Sequence, residues 1–314
     1  MRFEKWQALG NDYLIFERDG LPFELTPARV RRLCESHFGV GADGVLLLAR
    51  AADPSRVADL RIFNPDGSEA ELSGNGAREA VLYLRRNGWT ELDEFAIGTI
   101  AGELRPTITG RDTCTVAMGR ASTSSKDYPG GSPDGRGELR AGGVTWRFQH
   151  VSIGNPQCAI HVDGERELEA LDLAALGPSI EGSEQFPNRT NVSFYTPIFS
   201  VQAASQDQPR IRARIFERGV GETLASGTGA SGAAIAHVLD RRRQAGSSDG
   251  GASQVGGAGE GAGAAAESVT VALDGGELEV GVGEDLSVQL TGWARPVFAG
   301  ELSEDFEKEL HETE

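Results

Sequence analysis

Lysine is nearly absent. Only Lys5, Lys126 and Lys308 occur among thirty basic residues, which face 47 acidic ones for a net charge of −17. That imbalance excludes nucleic acid and anionic membrane surfaces as natural partners, because either needs a surplus of positive charge. An acidic surface with so little lysine suits a protein kept soluble in concentrated salt, where a Debye length of about 3 Å at 1 M screens the self-repulsion. A halophilic source is expected. Cysteine is scarce as well: Cys34, Cys114 and Cys158 are far apart with no CxxC pair, which excludes a disulfide framework and fits small buried fillers. The five histidines form no HExxH and no cluster with cysteine, so no metal site is expected. No apolar run approaches the roughly 18 residues of a membrane span. The opening MRFEKWQALGND lacks the apolar stretch of a secretory signal. The expectation is a cytoplasmic protein.

What remains is a chain of 314 residues, 39% hydrophobic and 25% charged, long enough for two domains of about 150 residues each. Strands are expected on both sides of a turn at Gly10-Asn11-Asp12, at Val45–Ala49 and Asp59–Phe63, and through 92–120. Further strands are expected at Val144–Ile153, Gln157–Val162, Val192–Pro197 and from Val269 to Phe298. Helices are expected over Pro27–His37 behind Thr26, from about Gly74 to Asn87, and over the alanine-rich Thr228–Arg243. Residues 121–137, rich in Gly, Ser, Pro and Asp, read as a junction. The sequence therefore divides into 1–120 with about 299–314, and 121–298. Residues 244–267 hold eight glycines and no aromatic, which reads as a disordered loop inside the second domain. The acidic tail ELSEDFEKELHETE reads as frayed.

The most informative feature is an internal repeat. Arg61-Ile62-Phe63 leads to Ser73-Gly74-Asn75-Gly76-Ala77, and Arg214-Ile215-Phe216 leads to Ser226-Gly227-Thr228-Gly229-Ala230, with the same ten-residue step from Phe to Ser. Upstream, Gly10-Asn11-Asp12 is echoed by Gly154-Asn155-Pro156. Each Ser-Gly-x-Gly segment opens a helix, where free N–H groups and the positive dipole end favour an anion and glycine admits a close backbone approach. Two such ends facing across a cleft would grip one carboxylate and set Ser73 and Ser226 on opposite faces of its α-carbon. That arrangement suits inversion of a stereocentre by one base and one acid.

The segments ALGNDYLIF, FGVGADGVLLL, RIFNPDGSEAELSGNGAR, SIGNPQCAI, FPNRTNVSF, RIFERGVGETLASGTGA and ARPVFAGEL resemble the diaminopimelate epimerase family in order and spacing. The resemblance implies an α+β fold of two pseudo-symmetric domains, each a rolled, mostly antiparallel sheet around a central helix. It implies an isomerase that needs no cofactor and no metal, takes diaminopimelate in lysine synthesis, and forms a homodimer. It places substrate contacts at Asn11, Asn64, Gly74, Asn75, Asn155, Asn191, Glu217, Arg218, Gly227 and Thr228. Arg218 would fork the distal carboxylate, with Asn64, Asn191 and Glu217 around the distal groups.

The family's two catalytic cysteines fall here on Ser73 and Ser226, a usual histidine falls on Gln157, and a glutamine of some members falls on Gly44. A thiol can become a thiolate near neutrality. A serine hydroxyl cannot become an alkoxide there, since each helix end contributes at most about 2 kcal/mol, little more than one pKa unit. Three readings stay open: an otherwise intact epimerase with both bases replaced, an isomerase using a non-thiol base such as Glu217 with a bound water, or an inactive relative that binds a diamino acid. Ser73 and Ser226 also read as plain helix caps, Glu217-Arg218 as a surface pair, and Asn11 and Asn155 as turn formers. A dinucleotide site is weakly encoded. The glycine pattern at 39–44 follows a helix instead of a strand, and about 20 positions beyond the one at 227–232 the chain is the glycine-rich loop instead of a second strand's end. Neither Ser73 nor Ser226 stands in a GxSxG motif, so a serine hydrolase built on them is weaker still.

Overall fold

The computed structural model describes residues 1–71, 73–198, 208–248 and 267–313. The chain forms two units, Met1–Ala117 with Thr291–Glu314, and Met118–Leu290. The first unit contains β1 (Arg2–Ala8), β2 (Asn11–Glu17), α1 (Pro27–Cys34), β3 (Val45–Arg50), β4 (Ala58–Phe63), β5 (Glu69–Ala70), α2 (Gly74–Arg86), β6 (Ile97–Thr99), β7 (Gly102–Leu104) and β8 (Thr107–Ile108). The chain enters the second unit within β9 (Thr113–Arg120). There it builds β10 (Arg136–Ala141), β11 (Val144–Ser152), β12 (Pro156–His161), α3 (Glu165–Glu169), α4 (Leu173–Glu181), β13 (Asn191–Pro197), β14 (Arg210–Glu217), β15 (Gly221–Thr223), α5 (Gly227–Ser248), β16 (Glu267–Leu273) and β17 (Gly276–Val282). It returns within β18 (Ser287–Trp293) and ends on β19 (Arg295–Glu301) and α6 (Glu304–Glu312).

The repeat read from the sequence is a repeat of topology. The first unit's sheet runs β19-β1-β2-β3-β4-β6-β7, with β5 paired to β4. In the second unit the matching run is β10-β11-β12-β13-β14-β16-β17, with β15 paired to β14. The sense of pairing also matches: β2–β3 and β4–β6 are parallel, as are β12–β13 and β14–β16, while β3–β4 and β13–β14 are antiparallel. Even the register repeats, Phe63 opposite Glu69 and Phe216 opposite Glu222. Both arginines of the Arg-Ile-Phe segments donate through two nitrogens to that glutamate, Arg61 to both oxygens of Glu69 and Arg214 to one oxygen of Glu222. The fold class is α+β, as expected.

A helix that is apolar or small on every side belongs at the centre of a domain. From Asn75 to Leu84, α2 has no residue outside the buried class, and it packs against β1, β2, β3 and β19. In α5, Gly229 through Ala236 are all buried, and this helix packs against β11 to β14, β16 and β17. The alternate face of each sheet holds a second core. Leu14, Phe16, Val45 and Leu47 meet Val30 and Leu33 of α1 and Leu310 of α6. Cys158, Ile160, Val192 and Phe194 meet Leu168 of α3 and Leu173 and Ile180 of α4.

Four sequence readings need correction. The tail is not frayed: Ser303 caps α6 by accepting from Phe306 N, Leu310 is fully buried, and Arg29 donates to the carbonyls of Leu310 and His311. The first helix stops at Cys34 instead of His37, because Val40 and Gly41 donate back to the Leu33 carbonyl and turn the chain. The return to the first unit comes at Thr291 instead of about 299, since β19 pairs along β1. Of the glycine-rich 244–267 stretch, residues 244–248 extend α5 and Glu267 opens β16; residues 249–266 lie outside the described residues. The helices α3 and α4 and the strand β10 were not foreseen.

Leu310→Ala is expected to lower unfolding free energy by about 2–5 kcal/mol, measured by urea titration. A loss below about 0.5 kcal/mol, typical of a surface change, would mean that α6 does not close this core.

Candidate functional site

In the first unit, Gly10 takes φ 86° to turn β1 into β2, a conformation that favours glycine. The turn sets Asn11 at the start of β2, beside the beginning of α2. Ser73 caps α2, its Oγ accepting from Gly76 N at 3.1 Å, and the Tyr13 hydroxyl donates to the same Oγ at 3.2 Å. Asn75 Nδ2 donates to Asn11 Oδ1 at 3.2 Å, and Asn11 Nδ2 donates to Asp43 Oδ2 at 3.0 Å. Beneath them lies Arg78, wholly buried, donating to Asn75 Oδ1 at 2.6 Å and to the Gly74 carbonyl at 3.0 Å. Burial pulls its guanidinium down to about 10, so it stays charged at neutral pH. Glu79 is also wholly buried, and burial pushes its carboxyl well above the usual range against the pull of Arg78.

The second unit repeats the plan with other residues. Gly154 turns at φ 81°, and Asn155 Nδ2 donates to Thr228 Oγ1 at 3.3 Å, the counterpart of the Asn11–Asn75 bond. Gln157 Nε2 holds Asn155 Oδ1 at 2.6 Å. Ser226 accepts from Gly229 N at 3.2 Å, so it too caps its helix, and its hydroxyl donates to Glu217 Oε2 at 3.0 Å. Thr223 donates to the other oxygen of Glu217 at 2.8 Å. Burial pushes the Glu217 carboxyl up, while the Thr223 and Ser226 hydroxyls pull it partly back. Asn191 Oδ1 accepts from Arg218 N at 2.9 Å, and Arg218 Nη1 donates to the Asn188 carbonyl at 2.9 Å. Glu181 fixes the loop by accepting from Gly219 N at 2.8 Å and pairing with Arg189.

The structure thus joins Asn11 with Asn75, Asn155 with Thr228, Ser226 with Glu217, and Asn191 with Arg218. Gly74 and Gly227 open the two helices. Asn64 is not drawn in: its amide donates to Ser68 Oγ at 2.9 Å, within its own turn. Tyr13, Asp43 and Arg78 escaped the sequence reading. Arg78 left a signal, as a lone cation inside the apolar run of α2. Tyr13 left none, since one aromatic in a strand is ordinary core. Cys34, Cys114 and Cys158 are free and buried, and burial raises all three thiols, Cys34 and Cys114 to about 12. None of them is a thiolate at neutral pH. Among the described residues no group of three His, Cys, Asp or Glu side chains could hold a metal, and no helix is long and apolar enough to cross a membrane.

Two topologically equal units, each with a central helix opened by a capped Ser-Gly-x-Gly turn, define a known class of fold. A Bacillus anthracis protein of the phenazine biosynthesis PhzF family matches with a TM-score of 0.63 at 17% identity, over 96% of this chain and 99% of its own. A probable proline racemase from Agrobacterium radiobacter matches with a TM-score of 0.61 at 15% identity, over 97% and 93%. Sequence narrows the class. A family model described as diaminopimelate epimerase matches residues 3–124 and 149–295. A diaminopimelate epimerase of Pelotomaculum thermopropionicum is 36% identical over 310 residues, covering 96% of this chain and 98% of its own. One from Synechococcus sp. (strain JA-2-3B'a(2-13)) is 37% identical over 309 residues, covering 96% and 97%. The chain belongs to the diaminopimelate epimerase family.

Because burial raises Glu217, its carboxyl is expected to titrate above ordinary glutamates in carboxyl-region infrared difference spectra against Glu217→Gln. Ser226→Ala and Thr223→Val should each move it higher, since each removes a donor to the anion. Folding then favours the protonated acid, so its contribution to stability falls as pH rises from the unfolded value to the folded one. An unshifted midpoint in both variants would break the assigned bonds.

Proposed function

We propose that this chain is a cofactor-independent epimerase that interconverts LL- and meso-diaminopimelate in lysine synthesis. The observation that carries this reading is the unequal bonding of the two serine hydroxyls. Ser73 Oγ accepts twice, from Gly76 N and from the Tyr13 hydroxyl. Both lone pairs are engaged and its proton is left for donation. Ser226 Oγ donates its proton to Glu217 and accepts once, from Gly229 N, so one lone pair is left. Inversion needs one group that delivers a proton and one that removes it. Here the Tyr13–Ser73 pair suits the first task and the Ser226–Glu217 pair the second.

Removal would break the substrate Cα–H bond and form an O–H bond on Ser226, whose own proton passes to Glu217. Delivery would pass the Ser73 proton to the carbon, with Tyr13 resupplying Ser73. The helix N-termini behind Gly74 and Gly227 would stabilise the negative charge that gathers on the substrate carboxylate. At the distal end we assign Arg218, steadied by Asn188 and Asn191, to the second carboxylate. The family resemblance also assigns Asn64 there. A second reading, a binder without turnover, is favoured by the lack of any thiolate.

Purified protein in D₂O with diaminopimelate is expected to exchange the α-proton slowly, and Glu217→Gln should abolish the exchange. Restoring both thiols, Ser73→Cys with Ser226→Cys, should raise the rate by orders of magnitude, since helix N-termini lower thiol pKa values. Either single change should do far less. Binding without exchange in the double variant would leave the binder reading. Separately, Arg218→Ala should weaken diaminopimelate binding by about 2–4 kcal/mol in calorimetry, with Arg218→Lys recovering little because the fork is lost. Unchanged affinity would remove Arg218 from the distal end.

A further inference from the structure

Arg78 has no place in the reaction as written, yet it is the most deeply buried cation of the first unit, with no exposed surface. Its hydrogen bonds have one sense. Arg78 Nη2 donates to Asn75 Oδ1 at 2.6 Å, Asn75 Nδ2 to Asn11 Oδ1 at 3.2 Å, and Asn11 Nδ2 to Asp43 Oδ2 at 3.0 Å. A guanidinium only donates and an ionised carboxylate only accepts. Between two such ends each amide has one permitted orientation. Turning Asn75 over would set its NH₂ against the guanidinium, a conflict of donors in a buried place, and would set its oxygen against that of Asn11.

We propose that Arg78 is the positioning residue that fixes the orientation of the Asn75 and Asn11 amides for substrate, acting from beneath the N-terminus of α2 through a hydrogen-bond chain that ends on Asp43. The inference rests on the reading that Asn11 and Asn75 contact substrate. A bound carboxylate needs donors. In the chain each amide commits one Nδ2 hydrogen, leaving a second whose direction is fixed by the first.

The second unit separates this role from a structural one. The residue in the place of Arg78 is Ser231, and it donates to the Gly227 carbonyl at 2.8 Å, as Arg78 Nη1 donates to Gly74. A serine therefore suffices to brace the first helical turn. What the guanidinium adds is its second arm, to Asn75. In the second unit Thr228 takes the place of Asn75, and Asn155, the counterpart of Asn11, is held by Gln157, itself an amide whose Oε1 is buried without a hydrogen-bond partner. No charge dictates orientation there. The first unit presents amides locked by charge, and the second presents one held by a neutral group.

The test compares Arg78→Lys, Arg78→Gln and Asp43→Asn in the full chain, with meso-diaminopimelate binding followed by calorimetry and the asparagine side-chain NH₂ signals followed by selective ¹⁵N labelling. Lysine keeps a donor-only group and is expected to retain affinity within about threefold, whereas glutamine, which can donate or accept, should lose about tenfold or more. Glutamine should also speed the solvent exchange of the Asn11 and Asn75 amides. Asp43→Asn frees the far end of the chain on an exposed residue, and should shift the same signals and weaken binding in the same direction. If Arg78→Gln does not fold, Asp43→Asn decides alone. Equal losses in the Lys and Gln variants, or unchanged amide signals and affinity in Asp43→Asn, would overturn the proposal. Absence of diaminopimelate binding by the unaltered protein would instead strike the proposed substrate, while the amide signals still report on Arg78.

Discussion

A helix buried on all sides must still satisfy the backbone N–H groups of its first turn, which have no partner within the helix. Both central helices, α2 and α5, face this constraint, and both meet it with a serine whose Oγ takes one N–H. The residues that follow are small because strands approach closely: a Cβ on Gly229 would lie 2.8 Å from Ile215, and one on Gly76 would lie 3.0 Å from Leu46. Small residues and spare N–H groups are also what an anion site requires. Packing and binding thus ask for the same Ser-Gly-x-Gly segment.

That coincidence explains what was legible in the sequence. The ten-residue step from Arg-Ile-Phe to Ser-Gly survives in both units because strand, hairpin and buried helix must all fit within it, and any slip would turn Phe63 or Phe216 to the wrong face of its sheet. The pairing of β-sheet neighbours was not spelled out by the step, but it is the same in both units. Elements outside this frame were harder to read. In α6 a single buried leucine decides between helix and frayed tail, and acidic residues in its first turn, which favour a helix start, look the same as a solvated tail. In α3 and α4 the helices are too short for periodicity to speak. Side-chain bonds were the least legible: the Tyr13–Ser73 contact spans sixty residues and the Asn11–Asp43 contact thirty-two, and neither leaves a local pattern.

The two units agree in topology and differ in the chemistry that surrounds each serine. Asn64 and Glu217 stand at the same place after Arg-Ile-Phe, yet only Glu217 reaches the serine of its unit; Asn64 turns to Ser68. In the first unit the partner comes instead from β2, as Tyr13. Tyr13 and Gln157 are likewise equivalent, and only Tyr13 bonds to the capping serine. Each unit has therefore filled the space beside its serine once, from opposite sides, with groups of opposite character: a phenol that gives a proton and a carboxylate that takes one. For thiols, which a helix N-terminus can bring to ionise near neutral pH, such partners would be refinements. In the reaction proposed above they decide, for serines, whether a proton can move, because the hydroxyl can pass a proton on without holding the charge. A carboxylate buried enough for its pKa to rise is a stronger base than one in water, and the same two hydroxyl bonds that moderate the rise also aim it at Ser226.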